Sequence, residues 1–323
     1  MRGSEPTMGL IADIGATNAR FALADADGIH EEKILACTDY PNITEAVEAY
    51  YGGINLGQKP KAGAFAMAGP VRGDWFEMTN HGWAFSIGDT QKKLNFTDLR
   101  VMNDFEAVAI AVPNMNRKFL TQFGGEKPQL EKTIGVIGPG TGLGVASLVW
   151  GGQGYIPVPC EGGHVTMPAV TQREFDLIKT LFKKYHHISA ERVCSGKGLV
   201  NLYNAIGQLD GLNLPDMEPK EISEAALNGT CPVCREALDL MLVFLGRVAG
   251  NLALTLNAFG GIYIAGGIPA KLGDYFFKSG FRDAFEAKGR YTDYMKQIPV
   301  FLINHPFIAF EGLRHDLLNR GRI

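Results

Sequence analysis

Short apolar runs alternate with amphipathic segments along most of the chain, and these two kinds of segment predict strands and helices respectively. The runs that predict strands are GLIADIG, ARFALAD, EEKILAC, AGAFAMAGP, GWAFS and LRVMNDF in the first third, and KTIGVIG, LGVASLVW, GIYIAGGI and PVFLIN later. The segments that predict helices include TEAVEAYY, GDTQKKLNF, TQREFDLIKTLFKKY, GKGLVNLYNAI, EISEAALNG and EGLRHDLLNR. Strands that alternate with helices indicate an α/β fold.

A pattern of strand, glycine-rich turn with a threonine, and second strand occurs twice. LIADIGATNARFALAD shows it near the N-terminus, and KTIGVIGPGTGLGVASLVW repeats it after residues 113–131, a segment rich in Asn, Gly and Pro that we expect to be a loop. A weak internal repeat of this kind predicts two related halves. We therefore expect a smaller α/β domain at residues 8–113, joined by a C-terminal helix at 304–323, and a larger α/β domain at 114–303.

One segment of the second half is apolar on nearly every face. It runs from Pro232 to Phe259, and Arg247, Gly250 and Asn251 interrupt it. These interruptions favour a buried core helix over a membrane span, so no contact with a membrane is expected.

Composition and charge narrow the class of protein. The 31 basic and 34 acidic residues give a net charge of −3 without a long block of one sign, so a nucleic-acid-binding surface is not expected. The five cysteines are scattered and odd in number, and the first residues lack the apolar core of a signal peptide, which together indicate reduced thiols and a cytoplasmic protein. Cys231 and Cys234 form a lone CxxC, which we expect to be structural because no second pair or histidine lies close in sequence.

The two glycine-rich turns are candidates for phosphate binding. Glycines let backbone N–H groups approach an anion closely. Neither turn carries the Gly-Lys-Ser/Thr of a Walker-type loop, and each leads into a strand rather than into the helix that a dinucleotide fingerprint requires. A single turn of this kind is as compatible with a tight hairpin as with a phosphate site. Two related turns, one of them preceded by Asp13, favour phosphate binding.

These and other motifs resemble those of the actin-like, hexokinase-type ATPase superfamily. ADIGATNAR, GPGTGLG and IAGGI are similar to its first phosphate, second phosphate and adenosine motifs. MTNHGWAF, NDFEAVA, EGGH, SAERVCSG and FGGIYIAGGI narrow the resemblance to the bacterial ATP-dependent glucokinases, from about Met8 to Pro299. The resemblance implies a two-domain actin-like ATPase (ribonuclease H-like) fold in which nucleotide and sugar meet in an interdomain cleft.

The resemblance also implies which residues bind the nucleotide. It places Asp13 near a Mg²⁺ ion at the phosphates, directly or through water. The residues that it assigns to nucleotide and phosphate binding are Asp13, Gly15, Ala16, Thr17, Asn18, Gly138, Gly140, Thr141, Gly142, Gly266 and Gly267. Ala16 stands where glycine is commoner in the family, so the backbone approach at this position is expected to be slightly altered.

A sugar site follows from the same resemblance. Asp104 corresponds to the base that accepts the proton of the attacking hydroxyl, as phosphoryl transfer to a hydroxyl requires. Asn103, Glu161, His164 and Glu191 correspond to residues that bind sugar hydroxyls, and their amide, carboxylate and imidazole groups suit a polyol. On the residues alone, Asp104 is better interpreted as a cap of the following helix. The two glutamates are then compatible with solvated side chains, and His164 with a loop histidine.

The function implied is ATP-dependent phosphorylation of D-glucose to glucose 6-phosphate with Mg²⁺, by a homodimer. No structural zinc is expected, because the residues after His164, VTMPAVTQREF, contain no cysteine. The alternatives are a kinase for another hexose such as fructose or mannose, a non-sugar ATPase of the same superfamily, and a sugar-responsive regulator without catalysis. The sugar-binding set of Asn103, Asp104, Glu161, His164 and Glu191 disfavours a non-sugar ATPase. The retained Asp104 disfavours a regulator without catalysis.

Overall fold

The computed structural model describes residues 7–78 and 82–323, so residues 79–81 of the MTNHGWAF motif lie outside the described residues. Strands and helices alternate along the chain, which confirms the predicted α/β class. The strands are β1 (Gly9–Ile14), β2 (Asn18–Ala24), β3 (Ile29–Ala36), β4 (Ala62–Met67), β5 (Trp75–Glu77), β6 (Ala84–Ser86), β7 (Asp98–Asn103), β8 (Leu120–Gln122), β9 (Ile134–Pro139), β10 (Leu143–Trp150), β11 (Tyr155–Cys160), β12 (Gly261–Ile264) and β13 (Val300–Ile303). The α-helices are α1 (Ile43–Gly52), α2 (Ile87–Lys93), α3 (Asp104–Ala111), α4 (Gln172–Leu181), α5 (Gly196–Leu209), α6 (Pro219–Leu227), α7 (Pro232–Leu256), α8 (Gly267–Leu272), α9 (Asp274–Phe277), α10 (Phe281–Glu286), α11 (Thr292–Gln297) and α12 (Ile308–Asn319).

The chain forms two compact units, and the first contains the described residues up to Met115 together with His305–Ile323. Its main sheet has the order β3-β2-β1-β4-β7. β1 pairs antiparallel with β2, and β1, β4 and β7 are parallel neighbours. The carboxyl ends of β1, β4 and β7 therefore lie at one edge of this sheet, where ligands commonly bind in open α/β sheets.

The C-terminal helix α12 belongs to the first unit and lies against α3. A Cβ atom at Gly312 would lie 1.7 Å from the carbonyl oxygen of Ala107, so the two helices touch backbone to backbone. Arg100 of β7 links them, because its guanidinium contacts the carboxylates of Glu106, at 2.7 Å, and of Asp316. Burial raises the pKa of Glu106, and the Arg100 cation opposes that rise. Packing and charge together fix α12 to the sheet.

The second unit, Asn116–Asn304, is built on a six-stranded sheet of order β11-β10-β9-β12-β13-β8. β9 and β10 form an antiparallel hairpin, and β9, β12 and β13 are parallel. The hairpin β9–β10 of this unit has the same arrangement as the hairpin β1–β2 of the first unit. The repeated pattern of strand, glycine-rich turn and strand predicted from the sequence is therefore confirmed.

Helix α7 is the buried core helix of the second unit. It is the one helix among the described residues with the length and apolarity to cross a membrane. Its apolar side chains, however, are buried among α5, α6 and α10. Arg247, which interrupts the apolar run, forms an ion pair with Glu174 of α4 at 2.9 and 3.0 Å, and both side chains are largely buried. The prediction of a core helix is confirmed.

The CxxC motif lies at the start of α7. The Cys231 sulfur accepts a hydrogen bond from the backbone N–H of Cys234 at 3.2 Å and so caps the helix. Burial and the neighbouring Cys231 raise the pKa of Cys234 to about 12, which keeps this thiol protonated near neutral pH. All five cysteines are free thiols. The pair has the structural role expected from the sequence.

The prediction that residues 113–131 form a loop is wrong in part. Leu120–Gln122 forms β8, which pairs antiparallel with β13 at the edge of the second sheet. A strand of three residues is too short to show the alternation of apolar and polar side chains on which sequence prediction depends.

Replacement of Gly312 by alanine should destabilise the first unit by about 1–3 kcal/mol, because the new methyl group meets the Ala107 carbonyl and must push α12 away from α3. Urea-induced unfolding followed by circular dichroism measures the change. Gly52→Ala, at the end of α1, is the matched control, since no heavy atom lies within 4 Å of the added Cβ, and its effect should stay within ~0.5 kcal/mol. Equal midpoints for the two variants would show that α3 and α12 do not need the close approach.

Candidate active site

The first glycine-rich turn exposes unpaired backbone amides. The N–H of Gly15 donates to the carbonyl of Asn18 at 3.0 Å and closes the turn between β1 and β2. The N–H groups of Ala16 and Thr17 have no acceptor among the described residues. A Cβ at Gly15 would contact only the Asn18 carbonyl, at 3.7 Å, so the space beside this glycine is open. Open space beside free amides is what an anion requires.

Asp13 is a desolvated carboxylate held by a cation. It lies on β1 directly opposite Arg20 of β2, and the Arg20 guanidinium donates to Asp13 Oδ2 at 3.0 Å. Burial raises the pKa of Asp13, and Arg20 opposes that rise. The Nε of Arg20 is buried and lacks a hydrogen-bond partner in the part of the chain that the structure describes. Arg20 was not predicted to be a site residue. Its position could have indicated one, because residues 13 and 20 pair across the short turn of a two-stranded hairpin.

The second glycine-rich turn, between β9 and β10, has the same character. The N–H of Gly140 donates to the carbonyl of Gly142 at 2.8 Å, and the Thr141 N–H has no acceptor among the residues described. Nothing lies within 4 Å of a Cβ built on Gly140. Gly138 lies one step back from the turn, buried within β9 opposite Gly144.

The third glycine motif packs against the second turn. Gly266 has a φ of +89°, and a Cβ there would lie 2.4 Å from the carbonyl oxygen of Pro139. Gly267 begins α8 and has open space beside it. Gly266 is therefore required both by its backbone conformation and by its neighbour. The structure thus brings together the two glycine motifs of the second unit that were predicted to bind nucleotide.

Asn103 and Asp104 lie where β7 ends and α3 begins. Asn103 is the N-cap, because its Oδ1 accepts from the N–H groups of Phe105 and Glu106 at 2.8 and 3.4 Å. Its Nδ2 donates to the carbonyl of Gly69 at 3.3 Å. Asp104 is the first residue of the helix and accepts from the Phe105 N–H at 2.9 Å. Asn103, rather than Asp104, therefore caps α3.

Asp13 and Asp104, the two acidic residues of the first unit that were predicted to act in the site, lie near one edge of its sheet. The strand register pairs Ile14 with Met67, and Met67 with Asn103. Two strand spacings separate the ends of β1 and β7, which is about 10 Å. Asp13 directly precedes Ile14 in the sequence, and Asp104 directly follows Asn103, so both lie near this edge of the sheet.

The predicted sugar-binding residues of the second unit also cluster. Glu161 and His164 flank a single 3-10 turn, with 4.0 Å between Oε2 and Nε2, and both side chains are more than half exposed. Glu191 lies on another 3-10 turn, and its Oε2 accepts from the N–H of Leu143 at 2.9 Å. The ring of His187, which precedes the 3-10 turn of Glu191, forms a hydrogen bond with the carbonyl of His164 at 3.0 Å.

Two glycines make this cluster possible. A Cβ at Gly142 would lie 2.4 Å from Glu191 Oε2, so the absence of a side chain lets this carboxylate reach the hairpin. A Cβ at Gly163 would lie 2.0 Å from the carbonyl oxygen of Leu143. The EGGH motif therefore needs glycine at this position to lie against β10. Glu191 and His164 line one cavity of about 320 Å³.

Comparison with known proteins identifies similar chains and a similar fold. A family model described as Glucokinase matches residues 10–320. The glucokinase of Cronobacter sakazakii is 48% identical over 299 residues, which cover 92% of each chain. The crystal structure of a glucokinase from an Antarctic psychrotroph is 34% identical, with a TM-score of 0.87 over 98% of this chain and 100% of that one. The glucokinase of Balamuthia mandrillaris in complex with glucose is 22% identical with a TM-score of 0.82 over 98% and 94% of the two chains, which is a likeness of fold.

Asn103→Ala should lower the free energy of unfolding by about 1 kcal/mol, because α3 loses its N-cap acceptor. Asn103→Asp retains an oxygen at the capping position and should recover most of this loss. Thermal unfolding of the two variants and the wild-type chain provides the comparison. If the alanine variant is as stable as the aspartate variant, the side chain of Asn103 does not stabilise α3.

Proposed function

The chain belongs to the glucokinase family, and we propose that it transfers the γ-phosphoryl group of ATP to the 6-hydroxyl of D-glucose. The observation that carries the proposal is the family match over residues 10–320. The fold, that of the actin-like ATPase superfamily to which such sugar kinases belong, supports it. The geometry of the site residues then supports a mechanism.

The Asp104 carboxylate is the general base of the proposed reaction. It accepts the proton of the 6-hydroxyl while the 6-oxygen forms a bond to the γ-phosphorus. The bond from the γ-phosphorus to the bridging oxygen breaks, and its electron pair leaves on ADP. The position of Asp104 supports this role, because it directly follows β7 at the sheet edge near which Asp13 also lies. Release of that proton to solvent restores the base.

Free amides in the two glycine-rich turns bind the phosphates in this proposal. Ala16 and Thr17 of the first unit and Thr141 of the second each offer an N–H without an acceptor among the described residues. N–H groups fixed by the backbone need no reorganisation when negative charge shifts during transfer. Glu161, His164 and Glu191 bind the hydroxyls of the sugar in this proposal.

The surroundings of Asp13 fit a Mg²⁺ ion that accompanies the phosphates. A carboxylate oxygen is a ligand that Mg²⁺ prefers, and Asp13 Oδ1 accepts no hydrogen bond from the described residues. Burial makes the charged carboxylate costly, and a bound cation would relieve that cost. Asp13 would hold the ion directly or through water, and the ion, when bound, supplies neutralisation of phosphate charge.

We also propose that the protein is a cytoplasmic homodimer. The five free thiols support a reducing compartment, and the family resemblance supports the dimer. Light scattering of the purified chain measures the oligomeric state.

The proposed reaction is tested by ADP release from Mg-ATP with glucose, fructose, mannose, galactose or no sugar. Release that depends on glucose and is far weaker with the other hexoses is the expected result. A preference for fructose or mannose would assign another hexose as substrate, and release that is indifferent to sugar would assign a non-sugar ATPase.

Asp104→Asn should lower kcat by ~10²-fold or more, because an amide cannot accept the hydroxyl proton, while the KM for ATP changes little. Steady-state kinetics with glucose measures both constants. Asp89→Asn, which also changes an acid in the first turn of a helix, is the control and should keep wild-type kcat. Near-normal turnover of Asp104→Asn would remove Asp104 from the role of base.

Glu161→Gln should raise the KM for glucose by ~10-fold or more, since a hydrogen bond to a charged group contributes about 1.5–3 kcal/mol. Glu224→Gln is the matched control, because its side chain is 59% exposed compared with 57% for Glu161. A KM that stays at the wild-type value in Glu161→Gln would place Glu161 outside the sugar site.

Arg20→Gln should move the acid limb of the pH profile of kcat/KM for ATP to higher pH. Arg20 lowers the pKa of Asp13 against the rise caused by burial, so loss of the cation raises that pKa further. Asp13 is then protonated, and unable to bind a cation, at a higher pH than in the wild-type chain. Arg20→Lys retains a positive charge and should shift the limb less. Superimposable acid limbs for all three proteins would separate Asp13 from ion binding.

A further inference from the structure

The cavity beside Glu191 and His164 is also lined by residues that have no role in the proposed mechanism. Besides these two residues, the cavity of about 320 Å³ is lined by Lys184, His186, His187 and Arg192, which we call the basic rim. All of these residues belong to the second unit. The cavity therefore combines one carboxylate and several imidazoles with two permanently cationic groups.

The two permanent cations of the basic rim lack carboxylate partners. Neither Lys184 nor Arg192 has an Asp or Glu oxygen within 4.0 Å in the part of the chain that the structure describes, although most other arginines there are paired. The one acid that lines the cavity, Glu191, is turned toward the hairpin, where its Oε2 accepts from the Leu143 N–H. Two cations share the cavity with one carboxylate that already accepts a hydrogen bond, so the cavity favours an anion.

The rim is held in place by a short chain of contacts. The hydroxyl of Tyr185 donates to Asn201 Oδ1 at 3.0 Å, and Asn201 Nδ2 donates to the carbonyl of Arg192 at 3.0 Å. The Arg192 guanidinium lies 4.1 Å from the centre of the Tyr185 ring, and the Lys184 ammonium lies 5.1 Å from it. Because cations occupy the ring, Tyr185 is not available to stack on a second neutral sugar.

We propose that the basic rim is a subsite for the phosphate of a hexose phosphomonoester whose ring lies against His164 and Glu191. This inference rests on the proposed function, which assigns these two residues to sugar hydroxyls. Carbon 6 carries the hydroxyl that the proposed reaction phosphorylates, so the phosphate at the rim is carried by a carbon of the sugar ring. Glu191 repels this phosphate, whereas Lys184 and Arg192 attract it, so the phosphate binds at the basic rim. Such a ligand competes with glucose.

Glucose 1-phosphate, glucose 6-phosphate and inorganic phosphate are the probes, each titrated by calorimetry without ATP. Glucose 1-phosphate should bind more tightly than inorganic phosphate and should inhibit glucose phosphorylation competitively. Lys184→Gln should weaken its binding by ~10-fold or more, as expected for loss of a charge-assisted contact, with the KM for glucose within ~2-fold of wild type. Arg192→Gln should act similarly, whereas Arg192→Lys retains the charge and should weaken binding less.

Lys183→Gln is the matched control, because Lys183 is an exposed neighbour outside the cavity. Equal weakening by Lys183→Gln and Lys184→Gln, or binding of glucose 1-phosphate no tighter than that of inorganic phosphate, overturns the subsite. A parallel rise in the KM for glucose in Lys184→Gln also overturns it, since the rim would then serve the neutral sugar. Absence of glucose-dependent ADP release from the wild-type chain would contradict the proposed function instead, and the calorimetric result would still decide the subsite.

Discussion

Close backbone approach at the hairpin turn of residues 138–143 is the constraint on which the second unit depends. Glu191 reaches the Leu143 N–H only because Gly142 has no side chain, and Gly163 lies against the Leu143 carbonyl for the same reason. Gly266 lies against Pro139 from another segment. Segments far apart in sequence thus meet on one short turn. Groups predicted to bind phosphate and groups predicted to bind sugar are therefore positioned by the same few backbone atoms.

The first unit achieves a comparable arrangement with parallel strands. The ends of β1 and β7 place Asp13 and Asp104 at one sheet edge, and each carboxylate has a different environment. Asp13 is desolvated and opposed by Arg20, which suits a group that meets a cation. Asp104 is the first residue of α3 and accepts a hydrogen bond from the Phe105 N–H. The two carboxylates therefore lie in different environments, and the proposed mechanism gives them different roles: Asp13 binds a cation and Asp104 is the base.

Much of the fold could be predicted from the sequence, because the pattern of apolar residues within each segment indicates its strand or helix. Apolar runs identified the strands of both hairpins, and the interrupted apolar segment identified α7. The features that only the structure showed were those that the local sequence pattern does not indicate. Strand β8 has only three residues, and β11 carries Pro157 and Pro159, which disfavour a strand on propensity but are tolerated at a sheet edge. The structure also showed that Asn103, rather than Asp104, caps α3 through local hydrogen bonds, and that Lys184 and Arg192 share a cavity with Glu191. The assigned roles of the site residues stay predictions.

The central claim is that a phosphoryl group moves from ATP to the 6-oxygen of glucose, and ³¹P NMR of the reaction mixture tests it most directly. With Mg-ATP and glucose, the account predicts a phosphomonoester coupled to the protons on carbon 6, formed in step with ADP. With 6-deoxyglucose, it predicts no sugar phosphate. A phosphate on another carbon, a phosphorylated 6-deoxyglucose, or inorganic phosphate as the main product with glucose would contradict the account.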